Sequence, residues 1–137
     1  MANFLYSKAK EDFLGGNLNM SSNTITLALV DTNIYLVNDS HEDRADIPNT
    51  AIVLEANLTN KTINSGIFSA DDVLFTGVTA ANTAEAIVLY HTDTQGGQSS
   101  SRLIMYIDEA NGLPTATGVG INVNIQFSNE LTKIFSL

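Results

Sequence analysis

The sequence predicts an all-β fold: an antiparallel β-sandwich or jelly-roll-like barrel with a short N-terminal helix or arm. Three observations carry this. About eight short apolar or β-branched runs recur at intervals of roughly 8–15 residues, bounded by Gly, Asn, Asp and Ser. No helix-length periodic segment separates these runs, which disfavours a βαβ fold. One run, 121–127 (INVNIQF), alternates strictly: Ile121, Val123, Ile125 and Phe127 face one side and Asn122, Asn124 and Gln126 the other. That period means one buried face and one wet face.

The helix comes first. Tyr6, Ala9 and Phe13 recur at i, i+3 and i+7, on one helical face. Ser7 is a candidate N-cap, with Glu11 and Asp12 in the following turns. Gly15-Gly16 stops the helix, because glycine enters the left-handed region without a Cβ penalty. Residues 1–20 therefore read as a helix or arm, and 21–137 as a single β-sandwich domain. The arm is loosely amphipathic and suits packing on its own domain or on a neighbour.

Strands follow. Residues 24–30 (TITLALV) form a buried strand signal, which 34–37 extend after a break at Thr32-Asn33. Residues 38–48 are polar and end in Pro48, so they read as a surface loop with room for one helical turn. Strands are expected at 50–58 and 61–64, and a turn at Asn64-Ser65-Gly66 leads into Ile67-Phe68. Residues 71–76 form another strand. Residues 84–92 (AEAIVLYHT) fit a helix by composition, but Ile87, Val88 and Tyr90 favour a strand. Residues 93–101 (DTQGGQSSS) are flexible by composition. A strand at 102–108, a Gly- and Pro-punctuated loop at 109–120, the alternating strand, and a final short strand or apolar tail at 133–137 complete the chain.

The 137 residues fit one domain. A chain of this length buries roughly two-thirds of its unfolded surface, enough for a real core. Apolar residues make up 44% and charged residues only 15%, so Asn, Thr and Ser must supply the polar surface. The net charge is −9, with 6 basic residues and no basic cluster. Phosphate binding needs Lys and Arg to displace counterions, so direct nucleic-acid binding is not expected, nor is binding to an anionic membrane. The acidity serves solubility or attracts a basic partner. With no cysteine, disulfides and thiolate chemistry are excluded. No run approaches the ~20 apolar residues of a membrane span. The N-terminal residues lack the continuous apolar region of a secretory signal, so assembly in a cytoplasm is expected.

Candidate chemistry is sparse. Asp39, His41, Glu42, Asp43 and Asp46 offer metal-ligand types within eight positions, but not in a calcium-loop pattern. A solvated loop with an internal Arg44 ion pair is the favoured reading. His91 and Asp93, with Ser99 to Ser101 nearby, suggest a Ser–His–Asp group, yet no G-x-S-x-G elbow is present. Asp31, Asp71, Asp72, Glu85 and Asp108 could pair as glycosidase acids, though strand-end aspartates ordinarily begin turns. Gly118-Val119-Gly120 leads into a strand, the wrong context for a phosphate loop. The N-x-S/T triplets at Asn19, Asn38, Asn57 and Asn60 matter only in a secreted eukaryotic protein. Tyr90, Tyr106 and Phe127 read as core or interface aromatics, not as a base-stacking platform. No catalytic, cofactor or metal residue is assigned, and no cofactor is expected.

Six segments together point to a family: YSKAKEDFLGGNLNM at 6–20, ITLALVDT at 25–32, HEDRADIP at 41–48, FSADDVLFTGVT at 68–79, EAIVLYHTD at 85–93 and LIMYIDEANGLP at 103–114. In this order they resemble a family of small virion structural proteins of tailed bacteriophages. By size, acidity and β-rich pattern the chain is most similar to capsid decoration, or cement, proteins. The resemblance implies a non-enzymatic β domain on the capsid surface of a virion assembled in the bacterial cytoplasm. It also implies a dimer or trimer bound to the major capsid protein, holding capsomers against the pressure of packaged DNA. It transfers no contact residues.

The apolar groups at the chain ends are the candidate protein contacts: Phe4, Leu5 and Tyr6 in front, and Ile134, Phe135 and Leu137 behind. The alternative is that both ends pack on their own core. Three rival functions stay open. A head–tail connector, tail or fibre component would appear by imaging at the tail only. A carbohydrate-binding sandwich would give a glycan-array signal, though the chain has no Trp and only 4 Tyr. A small hydrolase would lose function when His41 and His91 are both replaced by alanine.

Overall fold

The apolar run around Thr26 and that around Val88 become neighbouring strands in a five-stranded antiparallel sheet. The computed structural model describes residues 3–71, 73–75, 83–92, 101–108, 115–116, 123–125 and 134–136. The fold is mostly β, with one short N-terminal helix. In chain order the elements are β1 (Phe4–Leu5), α1 (Ser7–Leu14), β2 (Ile25–Val30), β3 (Ile52–Asn57), β4 (Thr62–Asn64) and β5 (Ile67–Ser69). Then come β6 (Val73–Phe75), β7 (Thr83–Ala84), β8 (Ala86–His91), β9 (Leu103–Ile107), β10 (Thr115–Ala116), β11 (Val123–Ile125) and β12 (Phe135–Ser136).

The main sheet has the order β1-β9-β8-β2-β3. Smaller antiparallel pairings join β6 to β11, β7 to β10, and β5 to both β4 and β12. Among the described residues no set of strands closes into a barrel, so the jelly-roll-like barrel expectation is not met there.

All six residues of β2, all five of β9, and Ala86 to Tyr90 of β8 are buried. Side chains alternate between faces along a strand, so burial of consecutive residues means that both faces are covered. The sequences ITLALV, AIVLYH and LIMYI are therefore near-continuous apolar runs rather than alternating ones. The register groups Leu27 and Leu29 with Leu89, Ile87, Leu54, Ala56 and Met105 on one face. The opposite face carries Thr26 and Ala28 beside Tyr90, Val88, Asn57, Glu55 and Tyr106. One face is thus almost purely apolar and the other mixed.

Two register shifts bend the sheet. Leu29 pairs with Leu54 and Val30 with Ile52, leaving Val53 as an extra residue in β3. Leu89 pairs with Met105 and Tyr90 with Leu103, leaving Ile104 extra in β9. Such bulges increase local twist and re-aim the following side chains.

The helix forms where expected, but its start differs. Ser7 is the first helical residue; the cap position is Tyr6, extended at φ −63°, ψ 144° and without a side-chain cap bond. Eight residues are too few for a stable isolated helix, so burial of Ala9 and anchoring of Tyr6 hold it. At the stop, Gly15 remains in the right-handed region and Gly16, at φ +78°, makes the left-handed turn.

Other expectations shift. Residues 34–37 are not a strand. The Asp31 carbonyl accepts the amides of Ile34 (3.1 Å) and Tyr35 (3.0 Å), and its side chain accepts that of Asn33, so the chain turns. The 38–48 loop holds one 3-10 turn at Arg44–Asp46, and a second at Asn49–Ala51 takes Thr50 out of the expected strand. The strand expected at 84–92 forms as β8 over Ala86–His91, with Ala84 ending β7. Inside the expected 109–120 loop, β10 is a two-residue strand. Of 121–127, only β11 is described, without its side chains, so the expected two-faced burial lies outside the described residues, as does the 93–100 loop.

The β4–β5 hairpin follows the turn expectation closely. Asn64 pairs with Ile67, leaving Ser65 (φ +53°) and Gly66 (φ +78°) as a two-residue loop. Positive φ at both positions is the signature of a type I′ turn. Replacing Gly66 with valine should cost about 1–2 kcal/mol in urea unfolding, because a Cβ is disfavoured in the left-handed region. Leu27→Ala should cost about 2–5 kcal/mol in the same measurement, as a large-to-small change in a fully buried strand.

Candidate functional site

The mixed face of the sheet carries the richest polar chemistry, and the 38–51 segment contributes to it. Arg44 is only 5% exposed. A guanidinium so enclosed needs a full set of partners. Its Nη1 donates to the Ile47 carbonyl (3.0 Å), and its Nη2 to Asn49 Oδ1 (3.2 Å) and Glu55 Oε1 (3.4 Å). It also lies 5.9 Å from the centroid of the Tyr90 ring. The Tyr90 hydroxyl donates to the other carboxylate oxygen of Glu55. Burial first, and that carboxylate second, push the Tyr90 hydroxyl up to about 12. The ion pair expected within a solvated loop is not what forms: Arg44 is buried and its acid is Glu55 on β3. Thr26 adds a bond to Asn57 Oδ1 (2.9 Å) and another to the Thr92 hydroxyl on the same face.

A second chain of bonds ties the N-terminal arm to the loop. The Tyr6 and Tyr35 hydroxyls are 2.9 Å apart, and the Tyr35 hydroxyl is 2.9 Å from His41 Nδ1. Burial raises the Tyr6 hydroxyl well above the ordinary tyrosine value and Tyr35 to about 12. Both stay neutral and act as hydrogen-bonding groups. The backbone joins in: the Ser7 amide donates to the Asp39 carbonyl (3.1 Å) and the Tyr6 amide to the Ile104 carbonyl (2.9 Å).

Arg102 is the third tie, at a position whose local sequence marks only the start of a strand. Its Nε donates to Asp12 of α1 (2.6 Å), and its Nη1 to Asp43 (3.2 Å) and to the Glu42 carbonyl (3.3 Å). Helix, loop and sheet thus meet at one guanidinium. The Leu103 amide donates to the Glu42 carbonyl and the Arg44 amide to the Ser101 carbonyl, so residues 42–44 run along the edge of β9 that β1 leaves uncovered. Burial raises the Asp43 carboxyl and outweighs the Arg102 charge that lowers it. Asp46 moves the other way: the Glu42 amide, then the Asp43 amide, hold its carboxyl below the usual aspartate range.

Of the ligand types near His41, the His41, Asp43 and Asp46 side chains are therefore held in structural bonds. Among the described residues no group of three or more His, Asp or Glu side chains could hold a metal ion. His91 ends β8, with its amide on the Arg102 carbonyl, and Ser101 is buried. Asp93, Ser99 and Ser100 lie outside the described residues, as do Asp72 and Gly118 to Gly120. Asp31, Glu85 and Asp71 bond to turn residues. Glu85 accepts from Thr32 (2.7 Å) and Asn33 (3.2 Å), and Asp71 from Asn60 (2.6 Å). The amide of Asp108 donates to Asn3 Oδ1. Among the described residues no helix is long and apolar enough to cross a membrane.

The candidate contact residues fall in different places. Phe4 and Leu5 form β1 and are half-buried, with the Phe4 ring 5.3 Å from both the Tyr6 and Tyr106 rings. Tyr6 is fully enclosed and Ile134 is buried. Phe135 sits in β12 opposite Phe68, while its side chain and Leu137 lie outside the described residues. A different apolar surface, built from residues distant in sequence, is also present. A groove of about 390 Å³ opens between the end of α1 and the β4–β5 hairpin, lined by Phe13, Leu18, Met20, Ile63 and Phe68. Leu14, in α1 beside Phe13, is 91% exposed, and Leu36 and Leu74 also face outward.

Tyr35→Phe should destabilise more than Tyr6→Phe in chemical unfolding, by about 1–3 kcal/mol. The first strands the enclosed Tyr6 hydroxyl, whereas the second leaves Tyr35 its bond to His41. For Asp46 the folded-state carboxyl is the stronger acid, so its stabilisation is present above the unfolded value near 3.9 and is lost as pH falls through the folded value. Asp46→Asn should therefore flatten the acid limb of a stability–pH curve measured below about pH 4.

No protein-family model matches this chain, and no curated protein or solved structure is significantly similar to it.

Proposed function

We propose that this protein is a structural component of a tailed-phage virion, a capsid decoration protein that binds the major capsid protein and stabilises the head. The observation that carries the reading is the ordered series of six segments, from residue 6 to residue 114, that resembles small virion structural proteins. The geometry supports it in two ways. The described polar clusters join arm, loop and sheet to one another, as suits a rigid mechanical part. Large apolar side chains, Leu14, Leu36, Ile63 and Leu74, face outward, as suits a protein that works by contact. On this reading the protein is not an enzyme, acts as a homo-oligomer on the capsid surface, and binds neither nucleic acid nor membrane directly.

The matching fold proposal is a two-layer β-sandwich, with the smaller sheets packed over the apolar face of the main one. Burial of β2, β8 and β9 on both faces supports it, as do the contacts of β6 with β3.

Capsids assembled without the protein should release DNA or rupture at a lower temperature than complete ones, and adding purified protein back should restore the difference. Equal stability with and without it would overturn the cementing role. Imaging density confined to the tail would move the protein to a connector or fibre.

A further inference from the structure

We draw no further inference here: the strongest candidate, the apolar groove between the end of α1 and the β4–β5 hairpin, belongs to the surface already described, and nothing in the structure shows what covers it.

Discussion

Three neighbouring strands buried on both faces are the constraint on which the rest of this fold depends. An antiparallel sheet commonly leaves one face to water, and its strands then alternate apolar with polar residues. Here ITLALV, AIVLYH and LIMYI do not alternate, so each face must be covered. The 38–51 loop with its two 3-10 turns brings Arg44 to the mixed face, while a helix too short to stand alone and a two-residue strand attach beside β9. Such pieces have little apolar area of their own. Their attachment relies on hydrogen bonds and ion pairs, which are directional and fix the geometry of the joint.

That division explains where the few basic residues go. Of 6 Lys and Arg in a chain of net charge −9, the two arginines sit at the two joints. Arg44 links the 3-10 turns to β3, and Arg102 links α1 and the loop to β9. Arginine suits these places because its planar guanidinium presents several donors in fixed directions. The pairs differ in exposure. Arg44 is nearly enclosed, so loss of Glu55 would leave a buried charge with neutral partners only. Arg102 is partly open to solvent, and screening weakens its individual pairs. Its contribution is convergence of three elements on one group.

The same joints account for residues that looked like chemistry. His41, Asp43 and Asp46 have the composition of a metal loop, but Tyr35, Arg102 and backbone amides respectively claim them first. Short local contacts of this kind are common where Asp and Asn organise a loop. The apolar surface behaves in the opposite way. Leu14 lies in a helix whose inward side is already met by Tyr6, Ala9 and Phe13, so it points to water.

Residue order alone determined much of this protein. The five- and six-residue apolar runs, the glycine pair after the helix and the Asn-Ser-Gly turn each depend on neighbours within a few positions, and each was legible from local patterns. The strand at 86–91 was legible as well, because β-branched residues outweighed a helix-compatible composition. The halt at Asp31 was harder, since a turn there needs only backbone carbonyls and one Asx contact, while Ile34 to Val37 still look like a strand. Tertiary structure alone decided the rest. It joined Tyr6 to Tyr35, Arg44 to Glu55 and Arg102 to Asp12, pairs separated by 29, 11 and 90 positions. Such partners are chosen by which strands lie side by side and which face each residue takes. Two bulges change that face within a strand, and no local pattern announces them.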